Sequence, residues 1–72
     1  MTNQDIARKL RDHATALARG GDNLYRVRAF RRAAMVVMGL NVEVAAIDRR
    51  ALERVPGIGK SLAQTIAGFV EP

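Results

Sequence analysis

Cysteine is absent from these 72 residues, so no disulfide can staple the fold and no thiolate can hold a metal. The single histidine, His13, cannot build a metal site alone, and its place beside an apolar stripe suits packing or a surface hydrogen bond. Long apolar runs are missing too. The longest nearly unbroken one, residues 33–38, is far short of the about 20 residues a membrane helix needs. The N-terminus carries Asp5 early and has no apolar block of an export signal. No segment alternates polar and apolar residues with period two, which argues against strands. Low-complexity tracts and internal repeats are lacking as well. Together these absences fit an intracellular, cytoplasmic setting, and no membrane partner is expected.

Acidic residues are scarce, seven against twelve basic ones, for a net charge of +5. Ten of the twelve are arginine. A small arginine-rich chain with few acids points toward nucleic acid before other partners. The length fits one domain, 1–72, which buries only about 60% of its unfolded surface and so has a thin core.

Apolar residues recur with helical spacing. Thr2-Asn3-Gln4-Asp5 reads as a capping box, with Asp5 in place of the usual Glu. Ile6, Leu10, Ala14 and Leu17 follow as a stripe, and Gly20-Gly21 closes the helix. Asp22 or Asn23 caps a second helix that runs to about Met38 and stops at Gly39. Its buried stripe is expected to be Val27, Phe30, Ala34, Val37 and Met38, with Ala29 and Ala33 small enough for another helix to approach. Arg28, Arg31 and Arg32 are expected to cluster on the opposite side. Arg26 falls near the apolar edge, where it either snorkels into solvent or leans toward the later hairpin. Asn41 is the expected cap of a short run, residues 42–47. Asp48 is the expected cap of another, residues 49–54, with Ala51, Leu52 and Val55 turned inward. A last helix spans about residues 60–70, with Leu62, Ile66, Phe69 and Val70 inward and Gln64, Thr65 and Gly68 outward or toward a neighbour. The fold class is therefore all-α, a bundle of four to five short helices. Glu71-Pro72 follow the last helix abruptly, and one module of a longer protein is expected.

The organising stretch is Val55-Pro56-Gly57-Ile58-Gly59-Lys60-Ser61. Pro56 has a fixed φ and no N–H, so the preceding helix must stop. Gly57 can take the positive φ of a tight reversal. Ile58 is an apolar plug between two glycines. Gly59 lets a ligand approach its backbone, and the helix that follows begins with unpaired N–H groups and a positive dipole end. That combination suits an anion, most simply a phosphate. A nucleotide-binding P-loop is excluded, because Arg54 stands where its first glycine is required and no strand precedes it. A plain helix C-cap is the competing interpretation. Against it stands the spacing of Gly57 and Gly59 around an apolar residue, followed by Lys60, Ser61 and Ala63.

Nearly end to end, the chain resembles the N-terminal helix-hairpin-helix domain of family X DNA polymerases, the small domain of the polymerase beta group. The resemblance rests on Asp5-Ile6-Ala7 through Leu10, on Gly21-Asp22-Asn23-Leu24-Tyr25-Arg26-Val27-Arg28-Ala29-Phe30-Arg31-Arg32-Ala33-Ala34, on Leu40, and on Val55 through Lys60 with Ala63 and Ile66. It implies that the backbone at Gly57, Ile58, Gly59, Lys60 and Ser61 holds a DNA phosphate. It implies that carbonyl oxygens of Glu53, Val55 and Ile58 bind a monovalent cation, Na⁺ or K⁺, beside it. Tyr25 would lie near a template base, and Arg26, Phe30 and Ser61 would line a 5′-phosphate pocket. Tyr25, Arg26, Arg28, Arg31 and Arg32 are the expected DNA contacts. Ser61 replaces a basic residue and Phe30 a tyrosine of the beta group, so that pocket is weaker here. The lysine that serves the beta group's 5′-deoxyribose phosphate lyase aligns with Thr65, which cannot form an imine. Lys60 is the nearest remaining amine and a phosphate-facing role is its ordinary one. The expectation is therefore a monomeric, sequence-nonspecific DNA-binding module of DNA repair, not itself an enzyme. The alternatives are a Lys60-dependent lyase and a protein-interaction module.

Overall fold

The structure, a computed structural model, describes residues 1–70; Glu71 and Pro72 lie outside the described residues. Four α-helices and one 3₁₀ turn follow one another in the order α1 (Asn3–Arg19), α2 (Leu24–Gly39), the turn Val44–Ala46, α3 (Arg49–Glu53) and α4 (Gly59–Val70). The all-α expectation holds, and among the described residues there is no strand. Among the described residues no helix is long and apolar enough to cross a membrane.

The first helix begins as its sequence dictates. The Asp5 amide donates to the Thr2 hydroxyl at 3.2 Å, and the Thr2 amide donates to the Asp5 carboxylate at 3.0 Å. The Thr2 backbone N–H, and after it the hydroxyl, hold the Asp5 carboxyl below its ordinary value of 3.8. At the other end Gly21 turns with φ +78°, and the Asp22 amide returns to the Leu17 carbonyl at 3.0 Å. Asn23 supplies the cap of α2, accepting the Arg26 amide at 2.8 Å. Asp22, the other candidate, accepts the Asn23 amide and pairs with the Arg26 guanidinium instead.

The short turn folds α2 back along α1, and four alanines with no exposed surface, Ala7, Ala14, Ala33 and Ala34, let the two helices approach closely. Ile6, Leu10, Val27, Phe30 and Val37 fill the space between. Met38 is not part of that core: it is half exposed, because the stripe on α2 runs through Ala33, Ala34 and Val37 and leaves Met38 at its outer edge. Leu52, Ile58, Leu62, Ala63 and Ile66 close the core from α3, the hairpin and α4. Phe69 and Val70 pack against it half-buried, with Lys9 Nζ 5.8 Å above the Phe69 ring. Ala51 faces solvent rather than the core. Five residues of α3 make little more than one turn, and Leu52 alone takes the buried position on it.

Asn41 does not cap the segment that follows it. Only Val44–Ala46 is helical there, and it is tied down by Asn3 from the far end of the chain. Asn3 Nδ2 donates to the Val42 carbonyl, the Val44 amide donates to Asn3 Oδ1, and the Asn3 amide donates to the Glu43 carboxylate, each at 2.7 Å. Asp48 stands at the start of α3 without a side-chain cap bond. Asn3→Ala removes both side-chain bonds and strands the part-buried Val44 amide, a loss of about 1–3 kcal/mol. The thermal midpoint of the variant should fall by roughly 5–15 °C, read by circular dichroism. Gln4→Ala, one residue on at an exposed position, should shift it by less than about 4 °C.

Candidate nucleic-acid interface

Pro56 ends α3 because it has no N–H to continue the ladder. The chain then reverses over Gly57, at φ +92°, and Gly59, at φ +70°. The two glycines meet different demands. A Cβ on Gly57 would sit 2.8 Å from Val36 Cγ2 and 3.8 Å from Cγ and Cδ of Arg32, so the turn is pressed onto α2. A Cβ on Gly59 would meet nothing within 4 Å. Gly59 is required by its torsion, and the space beside it is open. Ile58, between them, is buried and anchors the turn in the core, as the sequence suggested.

Hydrogen bonding sorts the hairpin amides. Ile58 N–H donates to the Val55 carbonyl at 3.0 Å, so it is consumed within the turn and is no phosphate donor, contrary to the sequence expectation. The amides of Gly57, Gly59, Lys60 and Ser61 have no acceptor among the described residues. For the last three the reason is the start of α4, whose first N–H groups precede any helical carbonyl.

Two clefts open beside this turn. The larger, about 480 Å³, is bounded by Tyr25, Arg26 and Phe30 of α2 and by Gly59, Lys60 and Ser61 of the hairpin, with Ala29 and Thr65 also on its wall. Arg26 therefore lines the hairpin cleft while its guanidinium pairs with Asp22 at 3.2 Å, which unites the two alternatives left by the sequence. Phe30 is held from behind by the His13 ring, centroids 4.5 Å apart and tilted by 37°. This packing role is the one expected of His13. Thr65 donates its hydroxyl to the Ser61 carbonyl at 3.2 Å. The smaller cleft, about 220 Å³, is lined by Tyr25, Arg28, Ala29 and Arg32. Arg31 is exposed on the same helix and lines neither cleft. Tyr25 is the most exposed large apolar side chain described, at 85%.

The turn between two helices, with unpaired amides at the start of the second, is the feature by which the chain can be compared with others. A profile of the helix-hairpin-helix domain matches residues 1–71. The chain belongs to the helix-hairpin-helix domain family. Helix-hairpin-helix domains commonly bind DNA without selecting sequence. Comparison with curated proteins and with solved structures returns no match.

The carbonyls expected to hold a monovalent cation fit a hard cation in chemistry. Glu53, Val55 and Ile58 offer oxygen ligands, and Pro56 cannot donate to the Glu53 carbonyl three residues before it. The Val55 carbonyl already accepts from Ile58 and keeps one lone pair. Among the described residues no group of acidic or histidine side chains is arranged to hold a metal.

Asn23, Ala29 and Thr65 join the hairpin cleft without having been singled out for that place, and Val36 is the unexpected seat of the turn. The seat can be tested by stability. Gly59→Ala should lose about 1–2 kcal/mol from its left-handed torsion alone. Gly57→Ala carries the same torsional cost plus the collision with Val36 and should lose more. In urea titrations, Val36→Ala should narrow the gap between the two alanine variants.

Proposed function

We propose that this helix-hairpin-helix domain binds the backbone of DNA without reading base sequence, at gapped, nicked or single-stranded sites in repair. We further place it nearest the N-terminal domain of family X DNA polymerases, on the resemblance of its α2 block and hairpin. The observation that carries the reading is the set of free amides at Gly59, Lys60 and Ser61 opening on a cleft shared with Arg26 and Tyr25.

The chemistry follows from those parts. The amides and the positive end of α4 accept one phosphate, and Gly59 leaves its approach clear. Lys60 Nζ adds a point charge at the same helix start, and Arg26 faces it across the cleft. A monovalent cation at the carbonyls of Glu53, Val55 and Ile58 would add positive charge next to the phosphate when bound. Arg28, Arg31 and Arg32 add attraction along α2. Nothing in this arrangement probes a groove, which suits backbone binding over base readout. The domain acts as a monomer in this reading.

Fluorescence anisotropy with a gapped duplex tests it. If about three or four phosphates are neutralised, log K falls against log salt with a slope near −3. Gly59→Asp and Lys60→Glu each place an acid at the phosphate site and should weaken binding at least tenfold with helical circular dichroism retained. Affinity that ignores salt, or no affinity in the intact domain, overturns the reading.

Catalysis is not part of the proposal. Thr65 occupies the position of the lyase lysine in the beta group, and its hydroxyl forms no imine. Lys60 is an amine on the same cleft wall, so the lyase alternative has one candidate nucleophile. Borohydride trapping on an abasic-site oligonucleotide should give no covalent adduct. An adduct that disappears in Lys60→Ala would make the domain a lyase.

A further inference from the structure

Three observations concern the smaller cleft, lined by Tyr25, Arg28, Ala29 and Arg32. First, it shares Tyr25 and Ala29 with the hairpin cleft, so one exposed ring forms a wall common to both. Second, its two charged walls, Arg28 and Arg32, stand one helical turn apart with the same sign. Such a pair repels, and neither arginine has an acidic partner among the described residues, where Arg26–Asp22 is the one ion pair. Third, the Arg32 stem lies against the hairpin, with Cγ and Cδ 3.8 Å from the place of a Gly57 Cβ. Its base is therefore fixed to the same turn that presents the free amides.

We propose that the Arg28–Arg32 cleft is a second backbone-phosphate subsite, so that an unpaired strand crosses α2 with one base on Tyr25 and a phosphate on each side of it. The inference rests on the DNA-binding reading above and adds to it a second anchored phosphate and a direction of travel across the helix. Two guanidinium groups form a forked donor set suited to phosphate oxygens. A phosphate between them relieves the repulsion that the free protein carries. The aromatic wall selects a strand over a free anion, because every base offers a π-face to stack on. A free phosphate could enter either cleft but would gain nothing from spanning the ring.

The test uses the intact chain, fluorescein-labelled oligothymidylate and a 5′-phosphorylated thymidine dinucleotide whose internal linkage is natural or methylphosphonate. Arg28→Gln/Arg32→Gln keeps both stems and removes both charges; Arg8→Gln/Arg11→Gln removes two charges from α1, away from either cleft. The cleft variant should bind oligothymidylate about tenfold more weakly, with a log K–log salt slope shallower by about 0.7, the value of one single-strand phosphate. The α1 variant should stay within about twofold of the unmodified protein. By NMR titration, the unmodified protein should prefer the natural dinucleotide to the methylphosphonate several-fold, and the cleft variant should not distinguish them. If the cleft variant keeps the full slope, or still distinguishes the linkages, the subsite is refuted while DNA binding stands. If the unmodified protein binds no oligothymidylate, both the subsite and the DNA-binding reading fall.

Discussion

The contact between the Gly57 backbone and the side of α2 governs the arrangement of everything around it. With no side chain in the way, the turn settles against Val36 and the Arg32 stem. That seating brings the start of α4 beside Tyr25 and Arg26. The core supports it from below through Ile58, which sinks between the helices while the glycines on either side stay at the surface. A thin core built largely from alanine, valine and isoleucine has little volume to spare, so the turn's position on α2 follows from packing that is already tight.

Electrostatics on this surface is nearly uncompensated. Of the basic residues, Arg26 alone has an ion-pair partner among the described residues, and that pair is half-exposed and screened by water. The other arginines on α2 repel one another in the free protein. Their cost is accepted where an incoming polyanion would cancel it, and the hairpin amides stand beside them with the same preference for negative charge. Backbone dipole and side-chain charge thus favour the same kind of ligand on one side of the molecule.

Much of this was legible in the sequence. Helical period, the Thr2–Asp5 box and the glycines at the C-terminal ends of α1 and α2 gave those two helices almost to the residue, and Pro56 with its two glycines marked the turn. The α-helical phase also placed Arg28 and Arg32, four apart, on one face of α2. Other features depended on residues distant in the chain. The segment after Asn41 is shaped by Asn3, about forty positions earlier, and no local rule about caps reveals that. The exposure of Met38 and Ala51 reflects how far the core extends along α2 and how short α3 is. Val36 as the seat of the turn emerged only once both helices were placed, because nothing at position 36 marks it as different from its neighbours.

The torsions at Gly57 and Gly59 set a limit of a different kind, one of handedness. Both lie on the side of conformational space that an L-residue avoids and a D-residue prefers. A ribosome meets such a demand at least cost with the one residue that has no hand. At position 59, a mirror-image alanine introduced by chemical synthesis would match the native torsion and narrow the freedom of the unfolded chain. The glycine there is thus a translational compromise in the backbone, and the turn itself has room for a stiffer one.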